Sequence, residues 1–149
     1  MIAGRSWLVA GGVLSLTAAL LHLASIIGGP DWYRFFGAGE RLARMAEQGR
    51  WTPTQMAAGI AAMLGVAAAY AFSGAGLIQR LPLLRTALVA ITSVYMARGL
   101  VVWWPSALAR PDLSPGFLFW SSLIVLVFGL VHLVGTWQSW PTLSQGMTD

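Results

Sequence analysis

The chain has 149 residues, of which 57% are hydrophobic and only 9% charged, against about 25% charged in ordinary soluble domains, so a water-soluble fold is not expected. Its net charge of +4 comes from nine arginines and no lysine against five acids; no arginine cluster or recognition motif accompanies it, which assigns the basicity to lipid-facing helix ends and not to nucleic acid. Cysteine is absent, which excludes disulfides, thiolate zinc sites, iron–sulfur clusters and a cysteine nucleophile.

Four apolar runs follow one another at 7–28, 54–78, 83–104 and 116–137, each long enough to cross about 30 Å of hydrocarbon as a helix. The expected fold is all-α: a single membrane domain, 1–149, built as a four-helix bundle with an interfacial amphipathic helix between the first and second spans. Seven prolines (Pro30, Pro53, Pro82, Pro105, Pro111, Pro115, Pro141) fall at or beyond the run ends, where a missing amide donor does little harm. Eight tryptophans, among them Trp7, Trp51, Trp104 and Trp137, mark the same limits as an interfacial belt.

The first run follows Arg5 and is about 22 residues long, beyond the usual 7 to 15 of a signal-peptide core, so an uncleaved helix is expected. Small and polar residues form a stripe along it: Gly11, Ser15, Ala18, His22 and Ser25. After it, Trp32, Phe35, Phe36, Gly39, Leu42, Ala43 and Ala46 recur at helical spacing, with Arg34, Arg41 and Gln48 opposite. Residues 31–49 therefore read as the interfacial helix, with a break at Gly37 and Gly39 and an i,i+4 pair of Glu40 and Arg44.

The second run carries a small-residue ridge, Ala61, Gly65, Ala69 and Ser73, that lets a neighbouring backbone come close. The fourth carries Ser122, Val125, Gly129, His132 and Thr136 on one face. With four spans both termini lie on one side, here side A, and the longer connections on side B. Arg5, Arg80 and Arg85 fall on side A; Arg34, Arg41, Arg44, Arg50 and Arg110 fall on side B. Four of the latter sit in one amphipathic segment held by lipid, so orientation stays open.

Arg98 in the third run is costly at membrane depth, by about 2.5 kcal/mol or more at the centre. It sits roughly 9 Å below side B, and His22 at about the same depth, from the helical rise. Tyr95 one turn away, Ser121 and its neighbour Ser122, and Glu40 or Asp31 as counter-ion complete an expected ligand pocket on side B, lidded by 31–49. His132 lies roughly 24 Å from that face by the same rise, so a haem held by His22 and His132 of one chain is not expected. Tyr70, at equal depth, is the expected hydrogen-bond partner of His132. No metal-binding histidine pair, phosphate loop or paired carboxylates in a span are found, and no metal is expected.

The segment Gly28-Gly29-Pro30-Asp31-Trp32-Tyr33-Arg34-Phe35-Phe36-Gly37-Ala38-Gly39-Glu40, with Leu81-Pro82-Leu83-Leu84-Arg85 and Tyr95 to Leu100, resembles small uncharacterised four-helix integral membrane proteins of bacteria. The resemblance spans most of the chain and implies an inner-membrane location but no activity. Size, basicity and helix count are also similar to the membrane-associated eicosanoid and glutathione metabolism family. Glu40-Arg41 is similar to its acidic and basic pair, but the asparagine and acid expected downstream are missing, so glutathione chemistry is not carried over.

The leading expectation is a module that binds a small amphiphile or lipid headgroup, with Arg98 pairing an anionic group and His22 hydrogen bonding. Two alternatives stay open: a membrane enzyme with His22 as general base, and an accessory or scaffold subunit of a homo-oligomer or larger membrane complex.

Overall fold

A computed structural model describes residues 2–104 and 113–144. Pro105, Pro111 and Arg110, used above to mark span ends and charge bias, lie outside the described residues. Six α-helices and one 3-10 turn make up the described chain, and no strand occurs among these residues. Three of the helices are long and apolar enough to cross a membrane.

Helix α1 (Ile2–Phe35) runs straight through the first apolar run and bends at Gly29, whose φ of 67° and ψ of −149° lie outside the helical region. Pro30 follows directly; its ring and missing N–H disfavour helical backbone before it, and glycine accepts the positive φ without a Cβ clash. After Phe35 the chain turns through Gly37 and Gly39, both at positive φ, and enters α2 (Glu40–Glu47). The interfacial segment is thus two short helices, broken at the glycines.

α2 ends in a Schellman turn: Gly49 has φ 68°, and the Arg50 N–H returns to the Met45 carbonyl at 3.0 Å. Helix α3 (Thr52–Gly74) starts with Pro53 in its first turn, a position where the lost donor is harmless. It stops four residues short of the expected end at Ile78, because Gly76 takes φ 70° and the Leu77 N–H folds back to Phe72 O. Ser73 then ties the connection, donating to Gln79 O and accepting from Leu81 N.

Helix α4 (Leu84–Leu100) has 17 residues and tightens into the 3-10 turn Val101–Trp103. Helix α5 (Pro115–Gln138) opens with Ser114, whose hydroxyl accepts from Phe117 N at 3.2 Å, an N-cap of the usual kind. The sequence reading missed α6 (Trp140–Ser144), a five-residue turn too short to show periodicity. It is pinned by tertiary contacts: Arg80 donates to Leu143 O at 2.6 Å, the Arg85 guanidinium lies 4.0 Å over the Trp140 ring, and Leu143 joins Leu8, Ala75, Leu84 and Leu88 in a buried cluster.

The four long helices run alternately up and down, α1 packing on α3 and α5, and α4 on α5 and α3. Close backbone approaches set the registers. A Cβ on Gly4 would meet Ser139, one on Gly11 would meet His132 and one on Gly135 would meet Leu8, so α1 and α5 are antiparallel. On the α4–α5 interface Gly99 abuts the Leu126 backbone and Gly129 abuts Met96. Of the expected ridge of α3, Ala61 and Ser73 are buried, in company with Ala57, Ala67, Ala68 and Ala71, whereas Ala69 is half-buried and Gly65 faces open space. In the expected stripe of α5, Ser122, Gly129, His132 and Thr136 are buried and Val125 is half-buried.

Candidate functional site

The centre of the bundle is polar. Ser15 on α1 and Tyr95 on α4 share a hydrogen bond of 2.9 Å between their hydroxyls. The Tyr95 ring meets His132 edge-on at 5.0 Å and Phe128 at 5.9 Å. His132 is fully buried, with Nδ1 2.9 Å from Phe128 O. A carbonyl only accepts, so Nδ1 carries the proton and Nε2 is a lone pair; it has no partner.

Tyr70 does not supply one. Its hydroxyl donates to Pro82 O at 3.2 Å, on the α3–α4 connection, and the expected Tyr70–His132 bond is replaced by the Tyr95–His132 contact. Depth along a helix says nothing about which neighbour an α5 side chain faces.

Two further buried hydroxyls, Thr92 Oγ1 and Thr136 Oγ1, lack any partner, although the residues are only 6% and 5% exposed. In a helix such a hydroxyl ordinarily donates back to its own turn, as Ser25 does to His22 O and Ser121 to Leu118 O. Both threonines line one groove of about 390 Å³ between α4 and α5, walled by Val89, Ser93, Leu133, Trp137 and Trp140. Thr92 is one turn before Tyr95 and Thr136 one turn after His132, so the groove adjoins the polar centre. Thr136 belongs to the polar stripe read from the fourth run, whereas Thr92 carried no signal in the sequence beyond its place one turn from Tyr95.

Toward side B, Arg98 turns its guanidinium to α5, donating from Nη1 to Ser122 Oγ at 2.7 Å and from Nη2 to Ser121 Oγ at 3.2 Å. Its partners are neutral hydroxyls. His22 bonds through Nδ1 to Ala18 O at 2.8 Å, and the α1–α5 register, continued, sets it opposite Ser121. His22 and His132 are thereby about eleven residues, roughly 16 Å, apart along the bundle axis.

The acids are engaged elsewhere, which corrects their expected descent to Arg98 as counter-ions. Arg34 gathers Glu40 at 2.9 Å, Glu47 at 2.7 Å and Asp31 at 3.5 Å, and Glu40 also lies 3.4 Å from Arg44. The side-chain bonds to Arg34 hold the Glu40 carboxyl below the ordinary glutamate range, and those to Glu40 and Glu47 raise the Arg34 guanidinium further above neutrality. This network clips α2 to the end of α1, at the surface.

Among the described residues no three His, Asp or Glu side chains gather at metal-binding distances. No family model, curated protein or solved structure matches the chain.

Proposed function

We propose that this is a four-span integral membrane protein of the small bacterial type its sequence resembles, which binds a neutral amphiphile from within the bilayer. α4 is short for a span, but its 17 residues with the three-residue 3-10 turn reach roughly 31 Å at about 1.5 and 2.0 Å per residue. That matches a hydrocarbon core of about 30 Å.

The observation that carries the binding reading is the pair of unpartnered hydroxyls, Thr92 and Thr136, on the wall of one groove. An unmet buried polar group costs about 1–3 kcal/mol; the two oxygens have no exposed surface themselves, so a ligand group in the groove recovers that cost through a χ1 rotation that turns a hydroxyl toward it. The groove's size and mainly apolar wall fit a small-molecule site with a few orienting polar atoms. Thr92 lies eight residues into α4, roughly 12 Å from its side A end; a charged group is disfavoured at such a depth. A hydroxyl, ester or ketone on an apolar body is the matching chemistry. No residue of the groove wall is titratable, which favours binding over acid–base catalysis. The site thus sits in the side A half, between α4 and α5, and not around His22 and Glu40.

The test is photolabelling in nanodiscs with a diazirine-bearing long-chain alcohol. Labels concentrated on Leu133, Trp137 and Val89, falling about tenfold in the Thr92→Val, Thr136→Val double variant, are expected. Labels spread evenly over the lipid-facing surface and unchanged by the double variant would overturn the reading.

A further inference from the structure

Where α1 breaks, a second recess of about 250 Å³ opens against the start of α3, with Gly29, Tyr33, Arg50, Trp51 and Thr54 on its wall. Its chemistry is cationic. Arg50 lines it and forms no ion pair among the described residues, while the nearest acid of α2, Glu47, is held by Arg34. The 23-residue α3 begins here with Trp51 as N-cap and no side chain capping it, so the positive end of its dipole faces the recess uncovered. Independently of both, Tyr33 is only 5% exposed, lines this recess and keeps a buried hydroxyl that no protein group meets.

A guanidinium and an uncapped helix N-terminus on one recess, with an unmet O–H donor on the tyrosine that walls it, match an oxyanion with several acceptor oxygens. The recess lies at the end of the first apolar span, beside the exposed Trp32 and Trp51, the level at which aromatic residues meet lipid headgroups. We propose that it is a phosphate-binding site, whose ligand is the phosphate of an anionic phospholipid headgroup or free inorganic phosphate. The site is separate from the α4–α5 groove and stands or falls independently of it.

The test uses the full chain in phosphatidylcholine nanodiscs doped with phosphatidylglycerol, with retained phosphatidylglycerol read by native mass spectrometry. Wild type, Arg50→Gln, Tyr33→Phe and the control Arg44→Gln are compared. Arg50→Gln is expected to weaken retention about tenfold and Tyr33→Phe about threefold, with Arg44→Gln unchanged. In a second arm, inorganic phosphate at millimolar concentration is added: displacement of the lipid, or phosphate binding lost in Arg50→Gln, identifies free phosphate as the ligand, and retention without competition identifies the headgroup. Equal losses in Arg50→Gln and Arg44→Gln would reduce the effect to diffuse surface charge and overturn the site, as would no dependence of either probe on Arg50. Arg50 is exposed on the α2–α3 connection, so its variant retains the fold; a thermal melt of each variant checks this.

Discussion

The hydroxyls of Ser15 and Tyr95 meet at 2.9 Å, joining α1 to α4 across the diagonal of the bundle, two helices that are not main packing partners. Removing the tyrosine hydroxyl with Tyr95→Phe releases Ser15 to bond its own helix backbone. Hydrogen bonds between membrane helices are worth about 0.6 kcal/mol on average and at most about 1.7, so a loss of about 1 kcal/mol is expected. Tyr95→Ala also empties the space against Phe128 and His132, and is expected to cost about 3 kcal/mol or more. Unfolding in mixed micelles with rising SDS measures both.

Thr92→Val and Thr136→Val should behave in the opposite sense in the ligand-free protein. Each replaces an unpartnered buried hydroxyl with a methyl of equal size, removing a penalty of about 1–3 kcal/mol. Each variant is expected to be more stable than wild type by SDS titration after delipidation, and less able to hold the alcohol probe. A threonine kept for packing alone would leave probe retention unchanged.

Glycines divide by what surrounds them. A Cβ on Gly99 would come within 2.6 Å of the Leu126 backbone, and one on Gly11 within 2.8 Å of the His132 ring. Gly99→Ala and Gly11→Ala are expected to destabilise by about 1–3 kcal/mol. Gly59 and Gly65 meet nothing within 4 Å, and alanine there gains about 0.5–1 kcal/mol from helix propensity. Side-by-side melting curves of Gly65→Ala and Gly99→Ala check the sign.

Arg98 donates to Ser121 and Ser122 and to no carboxylate among the described residues. Replacing it by methionine loses two hydrogen bonds to neutral partners and, in the proposed four-span arrangement, removes a charge from near the bilayer. The opposing effects are each about 1–2.5 kcal/mol, so Arg98→Met is expected to change stability by no more than about 1 kcal/mol. A drop of about 3 kcal/mol would mean that the guanidinium has an ionic partner.

The Arg34–Glu40 contact is pH-dependent. Bonding to Arg34 lowers the Glu40 carboxyl in the folded chain, so its contribution is full above the ordinary glutamate range and is lost as pH falls through the lowered value. Wild type should exceed Glu40→Gln in protection of α2 amides from hydrogen exchange at pH 7, and the two should converge only once the pH is below the lowered Glu40 value.

Sequence alone determined that this chain is all-α and apolar enough for a membrane, because hydrophobic run length and the placing of proline and tryptophan are local properties that lipid imposes on each helix separately. It also located the break near Gly37 and Gly39, where glycine's missing Cβ permits the turn. What only the tertiary structure decided was pairing. Helical rise put Tyr70 level with His132 and His22 near the depth of Arg98, but rotation about each helix axis and the α4–α5 register selected Tyr95 for His132 and the serines for Arg98. The groove went unread for the same reason: an unmet hydroxyl is a relation among several helices, and nothing in the local sequence around Thr92 or Thr136 distinguishes a hydroxyl bonded to its own turn from one left without a partner.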